Sequence, residues 1–154
     1  MTATIRQVRD AIAAAGERYT RLVLLVGDHG AGKTALARRL AEETSTRTLN
    51  LGAELSLRLL DVSARQRPAA AADAAADLMR TASPDSVSIV DNIELLFLPE
   101  LRLDPLKLLQ DAARNRVLVA TWPGAGDHVR LQFGRLTHPE GRSYDSPDAL
   151  LVAV

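Results

Sequence analysis

The apolar run RLVLLVG, residues 21–27, passes straight into GDHGAGKT, Gly27 to Thr34, and the two together constrain this chain more than any other feature. The second stretch matches G-x-x-x-x-G-K-[ST] at every fixed position, with a strand-like segment before it and a helical one after it. Glycines let the backbone turn so that successive N–H groups face an anion. The helix that follows aims its N-terminal dipole at the same place. Gly27, Asp28, His29, Gly30, Ala31, Gly32, Lys33, Thr34 and Ala35 are therefore the expected nucleotide-binding set. Lys33 is expected to reach the β- and γ-phosphates, and the Thr34 hydroxyl to ligate Mg²⁺. Asp28 and His29 occupy variable positions of such loops, and His29 reads as an exposed loop residue.

The rest of the pattern supplies a scaffold for this loop. Ile5, Val8 and Ile12 recur at helical spacing over residues 3–15, and Gly16 ends that segment. Further helices are expected at 33–44, in ELSLRLLD and PAAAADAAADLMR on either side of ARQRP, and in LDPLKLLQDAARN. The last has Asp104 as N-cap and Pro105 in its first turn. RTLNLG (47–52), SVSIVD and RVLVAT read as strands, SPDS as a loop and WPGAG as a sharp turn. RLTHPE and ALLVAV are weaker strand candidates. Strands alternating with helices predict an α/β fold with a mainly parallel sheet flanked by helices. A chain of 154 residues suits a single domain, with an N-terminal helix over 1–16 and an α/β core over 21–154.

Composition excludes several classes. There is no cysteine, so disulfides and thiolate metal sites are ruled out. His29, His128 and His138 have no metal-ligand spacing. Formal net charge is zero and no DNA-reading motif appears, so direct sequence-specific DNA binding is not expected, while a grip on DNA through a ring or complex stays open. No apolar run has membrane-spanning length and the N-terminus does not read as a signal peptide, so the expected location is cytoplasmic. Apart from Lys33 and Lys107 every basic residue is arginine.

SVSIVD ends in Asp91, which fits a second nucleotide motif in which a buried strand delivers a carboxylate to the Mg²⁺ shell. The βα unit between the two motifs resembles the AAA+ and related ATPases, in which another strand lies between the two motif strands. No N-K-x-D guanine motif is present, so ATP is expected rather than GTP. The AAA+ resemblance implies a glutamate after the aspartate to activate water. Here the order is Asp91-Asn92-Ile93-Glu94. Asn92 can orient water but cannot take its proton. Glu94 is the candidate displaced base, and Thr121 at the end of RVLVAT is the candidate γ-phosphate sensor. Arg114, Arg116, Arg130 and Arg135 are candidates for a finger reaching a neighbouring subunit in a nucleotide-dependent homo-oligomer. No helical bundle follows the core, so the usual AAA+ lid is expected to be missing, and the N-terminal helix is the candidate cover for the base.

Several stretches carry a narrower likeness: LVLLVGDHGAGKT, LNLGAELSLRLLD, RQRP, VDNIELLF, LDPLKLLQDAARNRVLVATWPG and LTHPEGRSY. From about residue 5 onward the chain resembles the BrxF family, small P-loop proteins of type 3 BREX bacteriophage-defence systems. The resemblance implies a bacterial cytoplasmic protein working beside other BREX components, including a methyltransferase and a larger ATPase. Two functions compete: a slow ATPase or ATP-gated assembly switch, and a non-catalytic adaptor or scaffold whose nucleotide is structural. The second would present Leu96, Phe97, Leu98 or Leu101 to a partner. A small-molecule kinase is disfavoured, because the chain has little room for a lid and an acceptor pocket.

Overall fold

The computed structural model describes residues 3–82, 87–133 and 141–154. In chain order the elements are α1 (Ile5–Ala15), β1 (Leu22–Gly27), α2 (Lys33–Thr44), β2 (Thr48–Asn50), α3 (Leu51–Leu59), α4 (Arg67–Thr81), β3 (Ser88–Asp91), α5 (Pro105–Ala112), β4 (Leu118–Gly126), β5 (Arg130–Phe133), β6 (Arg142–Asp145) and β7 (Leu150–Ala153). Two short 3₁₀ turns, Glu94–Phe97 and Pro99–Leu101, lie between β3 and α5. The parallel part of the sheet has the order β2-β3-β4-β1-β7, and β5 and β6 extend antiparallel from β4.

Local chemistry sets the helix boundaries. Thr4 and Gln7 form a capping box at α1, with Gln7 N–H donating to Thr4 Oγ1 at 3.3 Å and Thr4 N–H donating to Gln7 Oε1 at 2.8 Å. Asp104 caps α5 by accepting from Lys107 N–H at 3.2 Å. Alternation along β1 then distributes side chains to both faces of the sheet. Leu22, Leu24 and Val26 join the core under α3, α4 and α5, and Val23 and Leu25 join the core under α1 and α2. Every residue of β1 is buried, as befits a central parallel strand.

The sheet order separates β1 from β3 by β4, so the expected strand between the two nucleotide motifs is present. It is not the sequence-intermediate β2, however, which pairs with the outer side of β3. β2 is also shorter than RTLNLG suggested. Asn50 Oδ1 accepts from Ala53 N–H at 3.0 Å, so Leu51 and Gly52 already open α3.

WPGAG is not a turn. β4 runs through it to Gly126, leaving the parallel sheet to pair with β5. Trp122 is fully buried and its Nε1–H donates to the Gln132 carbonyl at 3.0 Å. Its ring meets Phe97 edge-on at 5.2 Å and Tyr144 at 5.9 Å, while Phe97 stacks on Phe133. Every aromatic residue except Tyr19 thus pins the hairpin to the core. The strands β5 and β6 have no counterpart among the sequence expectations, whereas ALLVAV does form β7. The candidates SPDS, RLTHPE, Arg135 and His138 lie wholly or in part outside the described residues.

Packing bears on two further readings. Leu96, Phe97 and Leu101 are buried in the core, so they offer no surface to a partner, and Leu98 is half-buried. The N-terminal helix packs on β7, β1 and α2 through residues such as Val8 and Ala15. It lines no part of the phosphate-loop cavity.

Candidate functional site

Parallel strands end together, and the C-terminal edge of this sheet gathers Gly27, Asn50, Asp91 and Thr121 from four different strands. Open α/β sheets bind ligands at that edge. A cavity of about 660 Å³ occupies it, bounded by the phosphate loop, the start of α2 and the ends of β2, β3 and β4. The loop turns through Gly30 at φ +81° and Gly32 at φ +102°, a region closed to most L-residues, before α2 starts at Lys33.

Lys33 is buried. Its Nζ donates to the carbonyls of Gly27 at 2.6 Å and Asp28 at 2.7 Å. Burial holds its pKa below the usual 10.5, against the opposing pull of Glu94, Asp28 and Asp91. A buried ammonium satisfied only by carbonyl dipoles is poised to gain from an anion. Ala31 N–H donates to the Asp28 carbonyl at 3.1 Å, which closes the turn of the loop.

Asp91 is held from both sides. Thr34 Oγ1 donates to its Oδ2 at 2.8 Å and Thr121 Oγ1 to its Oδ1 at 2.6 Å. Two strands and a helix therefore converge on one carboxylate. Among the described residues no group of three or more His, Cys, Asp or Glu could hold a metal ion. A hydroxyl and a carboxylate beside a phosphate site instead fit Mg²⁺, which takes hard oxygen ligands and fills its shell with water and substrate phosphate. The sequence expectations for Thr34 and Asp91 thus meet at one point, and Thr121 lies against Asp91.

Asn92 departs from expectation. Its φ is +60°, and its Nδ2–H donates to Asn50 Oδ1 at 2.8 Å. Its carbonyl accepts from Gly52 N–H at 2.9 Å. A Cβ on Gly52 would sit 2.6 Å from Asn92 Nδ2, so glycine is needed there for the amide to lie across the start of α3. Asn92 lines the cavity, but its amide ties the end of β3 to the N-terminus of α3. Asparagine suits this position because it tolerates the left-handed conformation.

The chain turns at Asn92, and Glu94 at the start of the 3₁₀ turn comes back to the cavity wall. Its charge is the largest of those acting on Lys33. His29 is exposed, and it lines this cavity together with an adjoining one of about 390 Å³ that also contains Asp28 and Glu94. Ala35 lines the phosphate cavity too.

Of the arginine candidates, Arg114 pairs with Asp111 at 3.3 Å and lies 4.7 Å from the Tyr19 ring centre, and Tyr19 precedes β1 at the opposite edge of the sheet from the phosphate loop. Arg130 pairs with Asp145 across the hairpin at 3.2 Å. Arg116 lines a separate cavity between α4 and α5. None of these three lines the phosphate cavity. Two residues that do were not anticipated, Arg38 and Asn50. Arg38 follows Thr34 by four residues, a spacing that puts both on one helix face. Asn50 ends a strand in register with Asp91, which only the pairing reveals.

A family model for the AAA ATPase domain matches residues 2–122. The chain belongs to the AAA ATPase domain family. The match runs from α1 through the parallel part of β4 and stops at Trp122, before the antiparallel hairpin and β7. Membership carries nucleotide binding, in keeping with the phosphate loop and the Thr34–Asp91 pair. No curated protein matches the chain. No helix among the described residues is long and apolar enough to cross a membrane.

Proposed function

We propose that this AAA ATPase domain binds ATP with Mg²⁺ and hydrolyses it slowly, the bound nucleotide serving as an assembly signal. The observation that carries the reading is the convergence of Lys33, Thr34, Asp91, Thr121 and Glu94 on one cavity at the sheet edge. The loop amides and Lys33 would hold the β- and γ-phosphates, and Thr34 and Asp91 would hold Mg²⁺. Bound there, Mg²⁺ supplies charge neutralisation at the phosphates. Thr121 orients Asp91. Glu94 is the carboxylate placed to accept a proton from water, since Asn92 has no basic atom and its amide is engaged by Asn50.

Slow turnover follows from that substitution of roles. A base reached through a turn, two residues beyond the usual position, is less firmly aligned than one fixed at the strand end, and general-base help is worth roughly 10²–10⁴-fold. Turnover well below the ~10 s⁻¹ typical of enzymes is expected. The likeness of VDNIELLF and LDPLKLLQDAARNRVLVATWPG to BrxF supports a setting among BREX defence components, beside a methyltransferase and a larger ATPase.

The test is calorimetric titration with ATP and Mg²⁺ followed by phosphate release. Lys33→Ala should lose most affinity while remaining folded. Glu94→Gln should bind like wild type and lose the residual hydrolysis. Sizing with and without ATP tests the assembly role. Wild-type affinity in Lys33→Ala would defeat the assignment. Rapid turnover that survives Glu94→Gln would defeat the switch.

A further inference from the structure

Two cations line the phosphate cavity, and only Lys33 belongs to the phosphate loop. The other is Arg38, one turn further along α2. We propose that Arg38 is a second phosphate-binding residue, gripping the outer side of the nucleotide's phosphate chain beside Thr34 and Ala35. The inference rests on the nucleotide-binding reading above.

Placement comes first. Leu36, Ala37, Leu40 and Ala41 are buried and fix the rotation of α2, so Arg38 is held on the face that carries Thr34. Side chains on a helix lean toward its N-terminus, so Arg38 covers the turn bearing Thr34 and Ala35. Its neighbour Arg39 is paired with Glu43. Arg38 has no hydrogen-bond or ion-pair partner among the described residues.

Charge comes second. Without Arg38 the cavity sets one buried ammonium, already bonded to two carbonyls, against the carboxylates of Asp91 and Glu94. Loop amides, the α2 dipole and Mg²⁺ would offset part of the nucleotide's charge, and a second cation at the rim adds to them. Arg38 is that cation, and its planar fork matches phosphate oxygens in pairs. Because Arg38 is solvent-exposed, its contribution should fade as salt rises.

The experiment titrates a fluorescent ATP analogue into wild type, Arg38→Gln, Arg38→Lys, Arg39→Gln and Lys33→Ala at low and high salt. Arg38→Gln should weaken binding about tenfold at low salt, with a shallower salt dependence than wild type. Arg38→Lys should keep part of the affinity, and Arg39→Gln should bind like wild type. Equal affinity of Arg38→Gln and wild type, alongside loss in Lys33→Ala, would overturn this proposal and leave the nucleotide reading standing. Equal losses in Arg38→Gln and Arg39→Gln would also overturn it, since a general field would then suffice. A wild-type protein that binds no nucleotide would remove both.

Discussion

Replacing Asn92 by glutamate restores the residue order usual in AAA+ ATPases, and a reading from sequence alone would expect faster hydrolysis. The structure argues for the opposite emphasis. Asn92 sits at φ +60°, which costs most L-residues about 1–2 kcal/mol. Its Nδ2–H bond to Asn50 at 2.8 Å contributes about 0.5–1.5 kcal/mol net. Glutamate forfeits the donor and brings its own oxygens toward Asn50 Oδ1, which already accepts from Ala53 N–H. Asn92→Glu should therefore lose about 2 kcal/mol, which lowers Tm by about 4–8 °C for a chain of this size. Turnover should not rise, because Glu94 already lines the cavity and the end of β3 loses its tie to α3. Asn92→Gly accepts the positive φ without strain, so it should fall between wild type and Asn92→Glu in stability. Thermal unfolding by circular dichroism and a phosphate-release assay on the same preparations provide the readouts. A Tm within about 1 °C of wild type, or a rate gain of about 10²-fold or more, would refute the reasoning.

Other outcomes follow from the same geometry. Gly52→Ala should destabilise despite the better helix propensity of alanine, because its Cβ would meet Asn92 Nδ2 at 2.6 Å, and denaturant unfolding should show a smaller penalty in an Asn92→Gly background. Burial depresses the Lys33 pKa below 10.5 and a phosphate would raise it again, so binding takes up a proton once pH climbs past the depressed value. ATP affinity should accordingly begin to fall at a pH below 10.5, and it should fall less in Lys33→Arg. Burial and then Asp104 push the Tyr144 pKa up to about 12. The raised value means that stability from this group is intact below about pH 10 and lost as pH rises toward 12, where the unfolded chain ionises first. In a Tyr19→Phe background, leaving Tyr144 as the sole tyrosine, the tyrosinate absorbance of the folded protein should rise well above pH 10.

The parts of this protein legible in the sequence are those set by neighbours along the chain. The phosphate loop depends on glycine spacing and on the strand and helix that abut it, so GDHGAGKT places Lys33 and Thr34 without reference to distant residues. The cap at Asp104 and the apolar spacing of Ile5, Val8 and Ile12 are likewise local, as is the run that makes SIVD a buried strand. The tertiary structure decided what lies beside what. Insertion of β4 between β1 and β3 brings Thr121 to Asp91 across thirty residues, and pairing of β2 with β3 brings Asn50 to Asn92. WPGAG reads as a turn because its proline and two glycines are turn-formers, yet burial of Trp122 and the close approach of β5 at Gly124 and Gly126 keep it extended. The side of the chain on which Glu94 emerges depends on a positive φ at Asn92, which no periodicity records. Arg38 was indistinguishable from the other arginines until α2 was packed, because a surface cation and a phosphate ligand share the same helical spacing. Only the cavity beside it separates them.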